Sequence, residues 1–208
     1  PDDARRLYDA LLAYWGQDSS IHHFSELEAL PFERLTPDTT TVYQRLRALA
    51  ALAKVYEGQE PALVVTSASG LTMKSFGPEL LAREFHTVHK GESVSMDTLL
   101  GRWVSLGYRT ERAVEVPGTM SRRGGILDIF PAGELLPVRL EFWGDVVESM
   151  RTFDPGTQRA LEQVERVSVI PAREVLPTRV DPKLLETKLR ELDFAGVSPS
   201  SRARIEEE

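Results

Sequence analysis

The fold of this chain is decided above all by residues 137–153, which read PVRLEFWGDVVESMRTF. In residues 137–143 apolar side chains occupy every second position, which is the pattern of a β-strand with one face in a core. Gly144 and Asp145 then separate this segment from a second strand-like segment, residues 146–153. A two-residue loop of this composition is typical of a tight β-hairpin. The stretch therefore predicts two antiparallel strands at the centre of a β-rich region.

Segments on both sides of the hairpin extend this region. Ser95 is placed to cap a helix with an apolar face, and Gly107 is placed to end it. Further strands are predicted at residues 109–116, at residues 119–131 with a break at a Gly-Gly pair, and at residues 166–170. Residues 85–171 are therefore predicted to form a small α+β domain that is rich in antiparallel strands.

The first 84 residues have a different pattern, in which helices alternate with short strands. One helix is predicted to begin at Asp2 or Asp3 and to end at Gly16, and a second begins at Thr39 or Thr40. Strands are predicted at residues 21–24 and 62–66, and the continuous apolar run of the latter is typical of a strand buried on both faces. This order predicts an α/β layer that starts partway through its fold.

The end of the chain begins with a proline-rich passage, which reads as a domain boundary. Residues 183–192 are predicted to form one helix, and residues 198–208 are predicted to be flexible. The three predicted parts are residues 1–84, 85–171 and 172–208.

Composition excludes several classes of function. The chain has 208 residues, of which 25 are Lys or Arg and 32 are Asp or Glu, so its formal net charge is −7. This balance argues against a protein that coats nucleic acid, since such binding depends on excess Lys and Arg. Cysteine is absent, which excludes disulfides and thiol catalysis and fits a cytoplasmic protein. No apolar run approaches the roughly 20 residues that a membrane helix needs, and no signal peptide is visible.

Sequence motifs for catalysis are missing as well. The chain has neither the glycine-rich loop with lysine of a nucleotide hydrolase nor the serine elbow of a hydrolase. The nearest approach to a phosphate loop is the small-residue turn at residues 66–70, which no lysine follows, and a simple exit from the strand is favoured there. The histidine pairs 22/23 and 86/89 point to diverging directions on strands, so we expect no metal site. The residues predict no enzymatic activity and no cofactor for this chain.

The polar face of the first hairpin strand is more informative. Alternation places Arg139, Glu141 and Trp143 together on the face away from the core. Trp and Arg are enriched among the residues that anchor protein interfaces, so this face is a candidate for partner binding. The alternative is that Trp143 is tucked beneath a neighbouring helix or closes the end of the hairpin. Alternation also sends Arg122 and Arg123 to opposite faces, where exposed arginines discourage pairing at a sheet edge.

Several separated motifs resemble a known family in the right order. They are RGGILDIFP at residues 123–131, PVRLEFWGD at residues 137–145, ESMR at residues 148–151, FDPGTQR at residues 153–159 and LPFERLTP at residues 30–37. Together they resemble the UvrB-homology region of the bacterial transcription-repair coupling factors (Mfd), over roughly residues 7 to 177. The FDPGTQR and LPFER motifs favour this family over the related excision protein UvrB.

This resemblance implies a fold for each part of the chain. Residues 1–84 would be the latter part of a RecA-like, UvrB-like α/β domain, in which UvrB keeps a working nucleotide site and Mfd a degenerate one. Residues 85–171 would be the small α+β domain that is inserted into it and binds the repair protein UvrA. Residues 172–208 would begin the returning half of the first domain.

The resemblance also implies a function for the chain. The family recognises RNA polymerase stalled at a DNA lesion, displaces it by ATP-driven translocation on double-stranded DNA and recruits UvrA through the inserted domain. The motor and polymerase-binding domains lie elsewhere in the full protein, so this chain would be a monomeric, non-catalytic recruitment module without a cofactor. Two alternatives stay open: the equivalent region of UvrB, and an ATPase or helicase fragment that contacts DNA directly.

Matching of motifs also implies the partner-binding residues. The arginines of the family that contact UvrA correspond to Arg123 and Arg139, and the contacting aromatic corresponds to Trp143. Arg122 is expected to add a supporting charge. Glu141 is expected either to hold Arg139 in place or simply to keep the edge soluble.

Overall fold

The computed structural model describes residues 2–16, 20–27, 39–56, 61–174, 176 and 182–191. The chain divides into two compact units, Pro1–Leu176 and Pro177–Glu208. The motif at residues 30–37 and the predicted flexible end at residues 198–208 lie outside the described residues. No helix in the described ranges is long and apolar enough to cross a membrane.

The first unit begins with a small α/β arrangement. Its elements in chain order are α1 (Asp2–Trp15), β1 (Ile21–Phe24), α2 (Thr39–Tyr56), β2 (Leu63–Thr66), α3 (Ala68–Thr72) and α4 (Pro78–Glu84). β1 and β2 pair in parallel, and α2 packs against β1 and α4. The predicted helices and strands of this part are therefore present, and α1 ends where Gly16 adopts a positive φ of 80°.

The prediction that residues 62–66 are buried on both faces is wrong. Leu63 is 45% exposed, and Val65 is the buried member of β2. Within the described residues β2 pairs with β1 alone. A continuous apolar run therefore does not by itself identify the centre of a sheet.

The rest of the first unit is a β-rich layer with one helix. In chain order it contains β3 (His86–His89), α5 (Met96–Ser105), β4 (Arg109–Thr110), β5 (Thr119–Arg123), β6 (Ile126–Phe130), β7 (Val138–Trp143), β8 (Val146–Phe153), β9 (Ala160–Gln163) and β10 (Arg166–Val169). The strands β4 to β9 form one six-stranded sheet in sequence order, and all its neighbouring pairs are antiparallel except β4 with β5. β10 pairs with β3 in a separate antiparallel ladder. The protein is thus a mixed α/β structure dominated by a mostly antiparallel sheet.

The hairpin of β7 and β8 is formed as predicted. Gly144 has a φ of 59°, a left-handed conformation that glycine adopts without steric cost. The apolar face of β7 packs into the main core. Helix α5 contributes Leu99 and Trp103 from its buried side to the same core. Ser95 caps this helix by accepting a hydrogen bond from the backbone N–H of Thr98. The sheet therefore has an inner face, covered by α5, and an outer face on the opposite side.

The strand predicted at residues 109–116 is mostly wrong, because only Arg109–Thr110 pair in the sheet. The following residues fold over the outer face, where buried Val114 packs with Phe130 and Phe153. Gln158 supports this segment by donating a hydrogen bond to the carbonyl of Val114 at 3.2 Å. Residues 111–116 therefore form a covering segment rather than a strand.

The chain that follows β10 returns to the α/β part. Arg45 in α2 is fully buried and pairs with Glu174 through both carboxylate oxygens. Its guanidinium also donates to the carbonyl of Ser25 at 2.6 Å and lies 3.9 Å from the ring centroid of Phe24. This buried ion pair holds the returning chain against α2.

The second unit is described through one helix, α6 (Pro182–Glu191). The helix predicted at residues 183–192 is therefore confirmed for residues 183–191, and residue 192 lies outside the described residues. Proline is favourable at the first position of a helix, since a backbone N–H at that position would have no partner within the helix.

Candidate protein-docking site

Polar side chains on the outer face of the sheet form a row across four strands. Asp128 on β6 lies opposite Ser121 on β5 and opposite Arg139 on β7, and Arg139 in turn lies opposite Arg151 on β8. Directly opposed residues of neighbouring strands have side chains on the same face and close enough to touch. The register therefore gathers several charged groups on a rigid surface.

The carboxylate of Asp128 organises two of the predicted binding residues. Its Oδ1 accepts a hydrogen bond from Nε of Arg139 at 2.7 Å, and its Oδ2 accepts one from Nη2 of Arg139 at 2.9 Å. The same Oδ2 accepts a hydrogen bond from Nη2 of Arg123 at 2.7 Å. Charge-assisted, two-pronged pairs of this kind are among the strongest hydrogen bonds in proteins. Arg123 and Arg139, which lie 16 positions apart in the sequence, are thus brought together by one group.

Burial distinguishes the two arginines. The side chain of Asp128 is 1% exposed, that of Arg139 is 17% exposed and that of Arg123 is 52% exposed. The guanidinium of Arg139 lies 4.7 Å from the ring centroid of Phe153, which restricts it further. The hydrogen bonds to Asp128 raise the pKa of Arg139, so this side chain keeps its charge although it is largely buried. Arg123 therefore offers most of the accessible positive surface of the cluster.

Trp143 stands at the open end of the same strand face. Its side chain is 79% exposed, and its register partner Val146 is also exposed. The tryptophan is therefore not tucked beneath a neighbouring helix, which was one of the two alternative explanations for its presence. An exposed indole beside an exposed valine is an apolar patch on a hairpin held in place by the core beneath it.

The structure does not bring Arg122 to this surface. Its register partner is the core residue Leu127, so its side chain starts on the inner face, where it pairs with Asp97 at the beginning of α5. The opposite directions of Arg122 and Arg123 agree with strand alternation.

Glu141 lies on the outer face but contacts a different arginine from the one expected. Its Oε2 accepts hydrogen bonds from Arg151 at 2.9 Å and from Ser149. Asp128, rather than Glu141, makes the hydrogen bonds that hold Arg139. The arrangement contains two carboxylate–arginine groups side by side, one centred on Asp128 and the other on Glu141.

Sequence reasoning missed Asp128 and Arg151. A signal for Asp128 was present, because a single carboxylate interrupts the apolar residues of β6 and belongs to the face opposite Leu127 and Ile129. A lone buried acid in a strand needs a cationic partner, since an unpaired buried charge is too costly. The identity of that partner depended on the strand register, which the sequence alone did not fix.

The polar groups of the turn at residues 66–70 form hydrogen bonds within the protein. The Oγ of Ser67 accepts a hydrogen bond from the backbone N–H of Gly70 and thereby caps α3. A Cβ at Gly70 would lie 2.5 Å from Oγ1 of Thr66, so glycine is required by close packing within the turn. Within the described ranges, His, Asp and Glu side chains form no group that would hold a metal ion.

Comparison with known proteins shows what this chain is similar to. A family model described as the UvrB interaction domain matches residues 87–175. The transcription-repair-coupling factor of Myxococcus xanthus is 38% identical over 151 residues, which are 73% of this chain and 12% of that protein. The protein of the same name from Escherichia coli K12 is 29% identical over 189 residues, or 91% of this chain and 16% of that protein. The transcription-repair-coupling factor of Mycobacterium bovis is 40% identical over 141 residues, which are 66% of this chain and 11% of that protein.

The chain is homologous to one region of the transcription-repair-coupling factors. It spans about 11–16% of the length of these curated relatives. Its UvrB interaction domain runs from β3 to the residues that follow β10, and it therefore contains the whole six-stranded sheet. Asp128, both arginines that it binds and Trp143 all belong to this domain.

Proposed function

We propose that this part of the coupling factor is a non-catalytic docking module that recruits UvrA in nucleotide excision repair. The observation that supports it most is the exposed Trp143 on the same rigid face as the Arg123–Asp128–Arg139 cluster. Arg123, Arg139 and Trp143 are the proposed contact residues. Glu141 supports them from the neighbouring group, whereas Arg122 adds charge only from the inner edge.

The chemistry of this face suits a protein partner. A tryptophan that becomes buried supplies a large apolar contact, and arginines supply directional hydrogen bonds to carboxylates. Such residues carry most of the binding energy of interfaces when they sit together near the centre. The complementary surface on UvrA therefore combines an apolar pocket for the indole with at least one carboxylate for Arg123.

The domain organisation is part of the same proposal. Residues 1–84 are the latter part of a UvrB-like α/β domain, residues 85–171 are a domain inserted into it, and the chain returns from residue 172. Two features support this division: β3 and β10 pair with each other at the start and end of the insertion, and Glu174 leads the chain back to Arg45. Within this scheme the chain itself binds no nucleotide and needs no cofactor.

The functions of the whole coupling factor lie outside this chain. We propose that the full-length protein is a cytoplasmic, ATP-dependent translocase on double-stranded DNA that acts on stalled RNA polymerase. The module described here would then act as a monomer that passes the damaged site on to the excision machinery.

A titration of UvrA against this chain tests the proposal. We expect Trp143→Ala to weaken binding by around 2 kcal/mol or more, which is roughly thirtyfold in Kd, because interface anchors have costs of this size. The matched control is Trp15→Ala, since Trp15 is also exposed but lies on α1 outside the UvrB interaction domain. Equal affinities of Trp143→Ala and the unchanged chain would sink the proposal.

A further inference from the structure

Asp128 is the most enclosed charged group on the docking face. Its carboxylate accepts three hydrogen bonds from two arginines, at 2.7, 2.7 and 2.9 Å. Because its side chain is 1% exposed, a partner cannot reach it while the arginines are in place. Any effect of Asp128 on binding must therefore pass through Arg123 and Arg139.

We infer that Asp128 is a positioning residue, which fixes Arg123 and Arg139 in the orientation that receives a carboxylate of the partner. Free arginine side chains lose rotamer freedom when they bind, and each side chain that is immobilised in this way weakens binding. Asp128 already restricts the two arginine side chains in the folded protein, so binding of the partner does not have to immobilise them. The inference rests on the proposed docking function, and it names a residue through which that function is tuned.

Charge alone gives the opposite expectation. Asp128 is negative, so its removal makes the docking face more positive and would favour an acidic partner. Positioning predicts weaker binding in spite of this gain in charge. Asp128→Asn therefore separates the two explanations by the sign of its effect.

The first experiment is a titration of UvrA against the full 208-residue chain and its Asp128→Asn variant. We expect roughly tenfold weaker binding with a faster dissociation rate, because two side chains are released. Unchanged or tighter binding would overturn the inference. Asp97→Asn is the matched control: it removes one carboxylate from an arginine pair, but on the inner face, and should change Kd less than about twofold.

A double-mutant cycle with Arg123→Ala separates positioning from a general effect on the fold. In the Arg123→Ala background only Arg139 remains to be released, so Asp128→Asn should cost about threefold or less. A repeated tenfold loss in that background would mean that Asp128 acts in some other way, and the inference would fail.

A measurement on the unchanged chain keeps the inference testable if Asp128→Asn does not fold or if UvrA does not bind at all. Solvent exchange of the Nε–H proton of Arg139 can be followed by NMR in the free protein. Strong protection is expected because this proton is bonded to buried Asp128. Exchange as fast as that of an exposed arginine would overturn the positioning role, whereas absence of UvrA binding with a protected proton would count against the docking function alone.

Discussion

At the scale of single residues, buried charges are the most constrained feature of this protein. Arg45 and Asp128 are both fully buried; Arg45 pairs with Glu174 from a distant part of the sequence, and Asp128 pairs with arginines on the two neighbouring strands. Burial of a charge is tolerated only when hydrogen bonds replace its water shell. One of these groups joins the returning chain to α2, and the other arranges the docking face.

The ion pair of Arg45 gives a prediction for stability. Arg45→Met keeps an apolar stem of similar length beside Phe24 but leaves Glu174 without its cationic partner. We expect the free energy of unfolding to fall by about 3 kcal/mol, because breaking one side of a buried pair leaves an uncompensated charge. Urea unfolding followed by circular dichroism measures this loss.

The control for this experiment is Arg47→Met on the same helix. Arg47 is half-buried and has no hydrogen bond or ion pair with the described residues, so its replacement should change stability by less than about 0.5 kcal/mol. Equal unfolding midpoints for the two variants would contradict the role given to Arg45.

At the scale of elements, the alternation of apolar residues predicted the central strands well, but it did not predict the segments that lie around them. The hairpin of β7 and β8 was predicted because apolar residues at every second position and a Gly-Asp loop agree with each other. β9 was not predicted, because its four residues are all exposed and show no alternation. Residues 111–116 were predicted to continue a strand but cover the outer face, because Val114 packs with Phe130 and Phe153 and a local sequence pattern does not contain these contacts.

The covering segment gives a second stability prediction. Val114→Ala should lower the free energy of unfolding by about 2 kcal/mol, since it removes buried methyl groups and leaves a cavity against Phe130 and Phe153. Thermal or urea unfolding provides the measurement. Val116→Ala in the same segment is the control and should be nearly neutral, because Val116 is exposed. A loss for Val116→Ala as large as that for Val114→Ala would show that the segment does not pack as described.

At the scale of the whole molecule, the net charge of −7 hides a face that carries several arginines. The sequence indicated this face through Arg139 and Trp143, and the resemblance added Arg123. Neither could show that Asp128 joins the two arginines, because that contact depends on the register between β5, β6 and β7. The faces of the strands were therefore predictable from the sequence, whereas the pairing between the strands was not.

We propose that UvrA docks on the outer face of the sheet around Trp143. The chain contains three tryptophans, of which Trp103 is buried beneath the sheet, while Trp15 and Trp143 are exposed at different places. NMR spectra of the indole N–H groups during addition of UvrA test the claim most directly. We expect the Trp143 signal to shift or broaden first, and the signals of Trp15 and Trp103 to change only through the slower tumbling of the complex. Formation of the complex with an unperturbed Trp143 signal would contradict it.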